Sequence, residues 1–167
     1  KEQNFNFQPF VDFLRNPAPK SVILRHDVDA CKINSLRCAN LEHKLGITGT
    51  YYFRMVPESF DPEVIKKIAG LGHEIGYHYE DLSFTAQRLR AKGSELRAPT
   101  FALRASVGRQ SSEHAEEELV KIAIESFREN LAKLRKIVPV DTICMHGSPL
   151  SRWDNRLLWK YYDYRDF

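Results

Sequence analysis

The feature that most restricts the fold is an alternation. Between residues 21 and 79, short runs rich in β-branched and aromatic side chains alternate with stretches whose apolar residues recur at helical spacing. Ser21–Leu24 reads as a continuous apolar strand, of the kind buried on both faces of a parallel sheet. Residues 31–45 read as a helix with Cys38, Leu41 and Leu45 on one face and Gly46 as its terminator. Residues 48–56 carry Thr50, Tyr51, Tyr52 and Phe53 and read as a strand. Asp61-Pro62-Glu63 opens a second helix, an N-cap followed by proline in the first turn, with Val64, Ile65, Ile68 and Leu71 turned inward. Residues 73–79 form the third strand. Strand, helix, strand, helix, strand predicts an α/β fold with parallel strands.

The flanks extend this pattern. Phe10, Phe13 and Leu14 give residues 7–15 a short helical stripe, ended by Asn16-Pro17-Ala18-Pro19. From about 113 to 138, Val120, Ile124, Phe127, Leu131, Leu134 and Val138 are spaced four, three, four, three, four, one apolar stripe along a long helix. Glu116, Glu117 and Glu118 are expected in its first turn, where acidic side chains suit the helix dipole, and Arg135 and Lys136 in its last. Residues 140–145 read as a fourth strand and 152–162 as a last helix. The stretch at about 84–111 breaks the rhythm; it carries Arg88, Arg90, Lys92, Arg97, Arg104 and Arg109 without clean periodicity and reads as part helix, part irregular insertion. With 167 residues the chain is expected to be a single domain, 1–167.

Composition excludes more than it selects. A net charge of +3 is too small to argue for nucleic acid. No apolar run approaches the ~20 residues a membrane span needs, and no signal peptide is visible. Cys31, Cys38 and Cys144 are odd in number and lack C-x-x-C spacing, which suits reduced, mostly buried thiols in a cytoplasmic protein. The oligomeric state is not legible.

The polar residues gather where strands end. Leu24-Arg25-His26-Asp27-Val28-Asp29 follows the first apolar run, and Asp27 and Asp29, two residues apart, point to one face. The third strand ends in His78-Tyr79-Glu80-Asp81 and the fourth in His146. Parallel strands bring all three ends to one side of the sheet. An aspartate with two histidines is a common open ligand set for a zinc-like ion, and a carboxylate that is not a ligand can take a proton from water. Ordinary readings compete with this one. Asp27 and Asp29 suit helix N-caps, and His78 and His146 suit hydrogen-bonded core histidines. His73 lies five residues before His78; the odd spacing turns it to the opposite face and excludes it as a co-ligand. His26 alternates away from the aspartates, and His43 and His114 read as solvated.

Leu24–Asp29, Thr50–Phe53 and above all Gly72-His73-Glu74-Ile75-Gly76-Tyr77-His78 resemble the polysaccharide deacetylases of the NodB-homology type (carbohydrate esterase family 4), over roughly residues 20–150. The resemblance implies a distorted or incomplete (β/α) barrel, a divalent metal ion, zinc above others, and removal of acetyl groups from N-acetylated sugars. It matches Asp27 to the catalytic base, Asp29 to the metal-binding aspartate and His78 to the first metal-binding histidine. Two departures stand out. The second metal histidine of the family follows the first by four residues, where this chain has Leu82. The strand that ends in an Arg-x-Pro-type motif in the family, whose arginine orients the base, here reads Ile143-Cys144-Met145-His146-Gly147-Ser148-Pro149. His146 is therefore expected to replace the missing ligand, the alternative being a general acid. Arg25, Arg54 or Arg152 is left to stand in for the arginine. The chain stops at Phe167, ahead of the family's last strand, which implies a shortened barrel. Arg152 and Trp153 are the expected sugar contacts, Trp153 being equally suited to packing. The expected activity is a metal-dependent deacetylase acting on carbohydrate; the alternatives are a carbohydrate-binding relative without turnover and a small-amide hydrolase of the same superfamily.

Overall fold

A computed structural model describes residues 5–91, 109–149 and 151–167. Four strands form one sheet in the order β3 (Arg25–Val28), β4 (Thr50–Phe53), β5 (Glu74–Tyr79), β6 (Ile143–Met145). β4 runs parallel to β3, with Asp27 opposite Tyr52, and β5 runs parallel to β4, with Tyr52 opposite Gly76. The sheet curls as a half-barrel, and the fold is α/β with parallel strands. The apolar run before β3 is not continuous with it. A separate strand, β2 (Ser21–Val22), pairs in parallel with β1 (Asn6–Phe7), and Ile23 and Leu24 lie between β2 and β3. The expected strand at 21–24 is thus displaced, and Arg-His-Asp-Val is itself the strand.

Contacts divide the chain into two compact units: Lys1–Tyr79 with Leu131–Cys144, and Glu80–Asn130 with Met145–Phe167. In the first, α1 (Phe10–Arg15) precedes β2, and α2 (Lys32–Lys44) and α3 (Pro62–Gly70) follow β3 and β4. Asp61 caps α3 as expected, its carboxylate accepting from the Glu63 and Val64 amides at 3.0 and 3.2 Å. Gly46 and Gly72 sit at φ +64° and +90° just past α2 and α3, a backbone region that glycine enters without steric cost. The inward face of α2 departs from hydropathy. Leu41 and Leu45 are exposed, whereas Ala39 and Glu42 are buried. A charged side chain takes the inward position because partners from β3 and β4 are waiting for it, as described below.

The second unit is built on α4 (Asp81–Ala91), most of α5 (Arg109–Arg135) and α6 (Leu158–Tyr161). Helix α4 already covers residues 84–91 of the expected irregular stretch; residues 92–108 lie outside the described residues. The stripe residues Val120, Ile124 and Phe127, and Leu131 and Leu134 further along α5, are buried as expected. The helix starts four residues earlier than its stripe suggests, so Glu116–Glu118 do not occupy its first turn. Asp81, 3% exposed, accepts from Ser126 Oγ at 2.9 Å and Asn130 Nδ2 at 2.8 Å, which fastens the start of α4 to α5. Trp159 packs edge-on against Phe127 and Phe167. Among the described residues no helix is long and apolar enough to cross a membrane.

Candidate metal centre on the open face of the sheet

Strand parity sorts the polar residues of the first unit onto two faces. Arg25, Asp27, Thr50, Tyr52, Glu74, Gly76 and His78 share one; His26, Val28, Tyr51, Phe53, Ile75 and Tyr77 share the other. On the first face, near the carboxyl ends of β3 and β5, His78 meets both aspartates. Its Nε2 lies 3.5 Å from Asp29 Oδ1 and 3.9 Å from Asp27 Oδ2. The ring is 2% exposed, and its Nδ1 sits 3.1 Å from the Cys144 carbonyl oxygen. A carbonyl only accepts, so Nδ1 donates there, and Nε2 is the ring nitrogen that faces the carboxylates. An imidazole held this way by a carbonyl is the usual arrangement behind a metal-bound histidine.

The two aspartates differ. Arg25 grips Asp27 with two parallel hydrogen bonds, Nε to Oδ1 at 2.8 Å and Nη2 to Oδ2 at 2.6 Å. That grip raises the pKa of the Arg25 guanidinium, more than desolvation lowers it. The Arg25 guanidinium also stacks 5.5 Å above the Tyr52 ring. The Tyr52 phenol is pushed up to about 12 by burial. Asp29, past the end of β3, is the more exposed carboxylate, and Arg54 Nη1 holds its backbone carbonyl at 3.4 Å. Ser59 donates to the neighbouring Val28 carbonyl. Neither aspartate caps a helix. The N-cap of α2 is Cys31, in left-handed conformation, with no side-chain cap bond.

The parity rule that groups Asp27 with Asp29 also groups Arg25 with Asp27. With β3 beginning at Arg25, it singles out Arg25 among the three candidate arginines. Cys144 was not expected at the site either. Its thiol, pushed up by burial and drawn partly back by Arg25, is one of three potential ligand atoms, with Asp27 and His78, that lie within 4.8 Å of one another. Of the three free thiols, Cys31 is exposed and Cys38 and Cys144 are half-buried, so none is fully buried as the sequence suggested.

The Gly-His-Glu-Ile-Gly-x-His run is mostly architecture. A Cβ on Gly76 would lie 2.3 Å from Tyr52 Cε1, because the Tyr52 ring lies across that strand position. Glu74 Oε2 accepts from the Val11 amide at 2.9 Å and from Thr50 Oγ1 at 2.7 Å, and its Oε1 from the Thr142 hydroxyl. His73, 5% exposed, accepts from the Gly49 amide at Nδ1 and faces the Ala39 carbonyl through Nε2, both at 3.0 Å. It is a core histidine, turned away from His78 as its odd spacing implied. Only His78 of the run is turned to the aspartates.

In the second unit, His146 follows β6, with its Nε2 3.9 Å from Glu80 Oε2. Asn155 joins the neighbouring segments, donating to the His146 carbonyl and accepting from the Ser83 amide, both at 3.0 Å. His146, Ser148, Arg152 and Trp153 line a shallow depression of about 570 Å³. Arg152 is exposed and Trp153 half-buried. Leu82, at the position of the family's second histidine, is fully buried in α4.

The donor set of the first unit suits a borderline divalent ion. Two ligands about 2.0–2.1 Å from a tetrahedral ion sit about 3.3 Å apart, close to the 3.5 Å between His78 Nε2 and Asp29 Oδ1. Asp27 is farther away and already committed to Arg25. Comparison of the chain with protein-family models, with curated proteins and with solved structures gives no match.

Proposed function

We propose that the chain is a metal-dependent hydrolase that removes acetyl groups from N-acetylated sugars, a divergent relative of the polysaccharide deacetylases. The carrying observation is the division of labour around His78. Asp29 lies at ligand spacing from its Nε2, while Asp27 is held by an arginine. Asp29 and His78 would hold the ion, His78 being oriented by the Cys144 carbonyl. When bound, a zinc-type ion supplies Lewis-acid polarisation of an acyl oxygen and makes water more acidic.

Asp27 is the general base. The Arg25 fork fixes its plane, and a carboxylate with about four lone-pair sites still has room to accept a proton from water. Arg25 thus takes the place of the orienting arginine missing after β6. Arg152 and Trp153, with His146 in the depression of the second unit, offer a charged fork and an aromatic face of the kind that suits a sugar.

Protein purified without chelator is expected to release acetate from an N-acetylated chito-oligosaccharide and to lose this activity on chelation. Asp27→Asn should lower the rate by about 10²- to 10⁴-fold, the range of general-base catalysis. Metal-loaded protein that binds the oligosaccharide but releases no acetate would favour the second reading, a carbohydrate-binding relative without turnover. The buried Leu82 in place of a ligand speaks for that reading.

A further inference from the structure

We infer that His26, Cys38 and Glu42 form a second metal site, on the opposite face of β3 from Asp27, for a borderline-soft divalent ion such as zinc. It stands independently of the hydrolase reading. Cys38 and Glu42 are four apart on α2 and so share the side that packs on the sheet. His26 reaches the same point from β3, its ring stacked on Tyr51 at 4.4 Å between centroids. One nitrogen, one sulfur and one carboxylate oxygen from these residues lie within 4.8 Å of one another. His26 Nε2 is 2.7 Å and Cys38 Sγ 3.8 Å from the same oxygen, Glu42 Oε1. Ligands of a tetrahedral ion would sit about 3.3 Å apart for nitrogen and oxygen and about 3.5 Å for sulfur and oxygen. Shifts of a few tenths of an ångström in side chains suffice.

Charge supplies the second argument. Glu42 is 7% exposed, and among the described residues no lysine or arginine pairs with it. Its other oxygen accepts from Tyr51 Oη at 2.7 Å, and His73 Nδ1, 3.6 Å away, already accepts the Gly49 amide proton. Buried carboxylates are paired or bind metal. The counter-charge here is either a proton on His26 or an ion. The ion would replace the hydrogen that links His26 to Glu42. That proton moves to His26 Nδ1, which has no hydrogen-bond partner among the described residues, and the Cys38 thiol gives its proton to solvent as the sulfur–metal bond forms. Glu42 remains ionised, so a neutral His26 releases a single proton per ion.

The probe is Co²⁺, titrated into chelator-stripped full chain and followed by the near-ultraviolet charge-transfer band that a cobalt–thiolate bond produces. The wild type should develop the band and saturate at a single equivalent for that signal. Cys38→Ser should abolish it, and His26→Gln, a second variant that guards against misfolding of the first, should weaken cobalt affinity at least tenfold. Cys144→Ser and His78→Ala should both keep the band, because they touch only the opposite face. A wild type without the band, or a band that survives Cys38→Ser or disappears in Cys144→Ser, would overturn the assignment and leave the His26 proton as the charge that balances Glu42.

Discussion

On one side of β3–β5, His26, Tyr51 and His73 surround the Glu42 carboxylate; on the other, Arg25, Tyr52 and His78 lie with Asp27. Both sides use the same kinds of residue, and a step of one position along a strand moves a side chain from one to the other. The side facing α2 is closed. His73 has both ring nitrogens committed to backbone groups, and Tyr51 is held so firmly to a buried carboxylate that burial, then that hydrogen bond, drives its phenol far above the ordinary range. The opposite side is open at its end. His78 has one nitrogen fixed and the other directed at two carboxylates, and Asp29 is half exposed. The same imidazole therefore serves as a strut in one place and turns one nitrogen toward carboxylates in the other. The difference lies in how many of its nitrogens the backbone has already claimed.

The largest test of this contrast exchanges the fates of the two histidines. On the proposed reading, His78→Ala should lower acetate release by more than about 100-fold, since a lost ligand costs at least what a lost outer-shell partner does, with a smaller loss of stability than at His73, because His78 gives up a bond to one backbone group and His73 to two. His73→Ala should do the reverse. Removing it strands the Gly49 amide and takes one of its partners from the Ala39 carbonyl, a loss of about 1–3 kcal/mol, while the surviving folded fraction keeps its activity per molecule. Urea unfolding and acetate assays on both variants give the comparison; equal effects on stability would break it.

A smaller effect is expected at Gly76. The Tyr52 ring fills the space that a methyl group would need, and the Thr142 carbonyl stands 3.1 Å away on the other side. Gly76→Ala should cost about 1–3 kcal/mol by overpacking. It should also disturb the Arg25 stacking on Tyr52, so that stability and activity fall together. A drop in stability alone would show that the ring and the Arg25–Asp27 grip are separable.

The smallest effect is alkaline. The Tyr52 pKa is raised in the folded chain from an ordinary 10 to about 12 by burial. A raised pKa means that folding favours the neutral phenol. This contribution to stability is complete below pH 10 and is lost as pH rises toward about 12. Unfolding free energy followed across that window should decline, and Tyr52→Phe should flatten part of the decline.

Local signals in the sequence account for much of this arrangement. The alternation of strands and helices, the Asp61 cap and the glycines past α2 and α3 each rest on chemistry within a few residues, and each is found in the structure. The pairing of Asp27 with Asp29 on one face follows from parity, and so does the exclusion of His73. What escaped reading depends on partners distant in the chain. Leu41 looks like a core residue and is exposed, because Glu42 finds a histidine and a tyrosine on two strands to compensate its charge. The break at Ile23 and Leu24 arises because β2 pairs with a two-residue strand near the start of the chain that has no periodicity of its own. The Arg25 grip is local, but choosing it over Arg54 and Arg152 required knowing that β3 begins at Arg25.

The Glu74 carboxylate has a bearing on the order of events during synthesis. The amides that open α1, Phe10 and Val11, find their acceptors on Thr50 and Glu74, separated from them by 40 and 63 residues, and Glu74 also receives the Thr142 hydroxyl. A ribosome releases α1 early, yet its anchors emerge much later. Contacts this far apart in sequence close slowly because the loop entropy must be spent first. This helix is therefore among the last to be seated. Until then Phe10 and Phe13, half-buried once seated, are exposed on the nascent chain beside Leu14, which stays exposed, and a chaperone that holds short apolar helices would find them there.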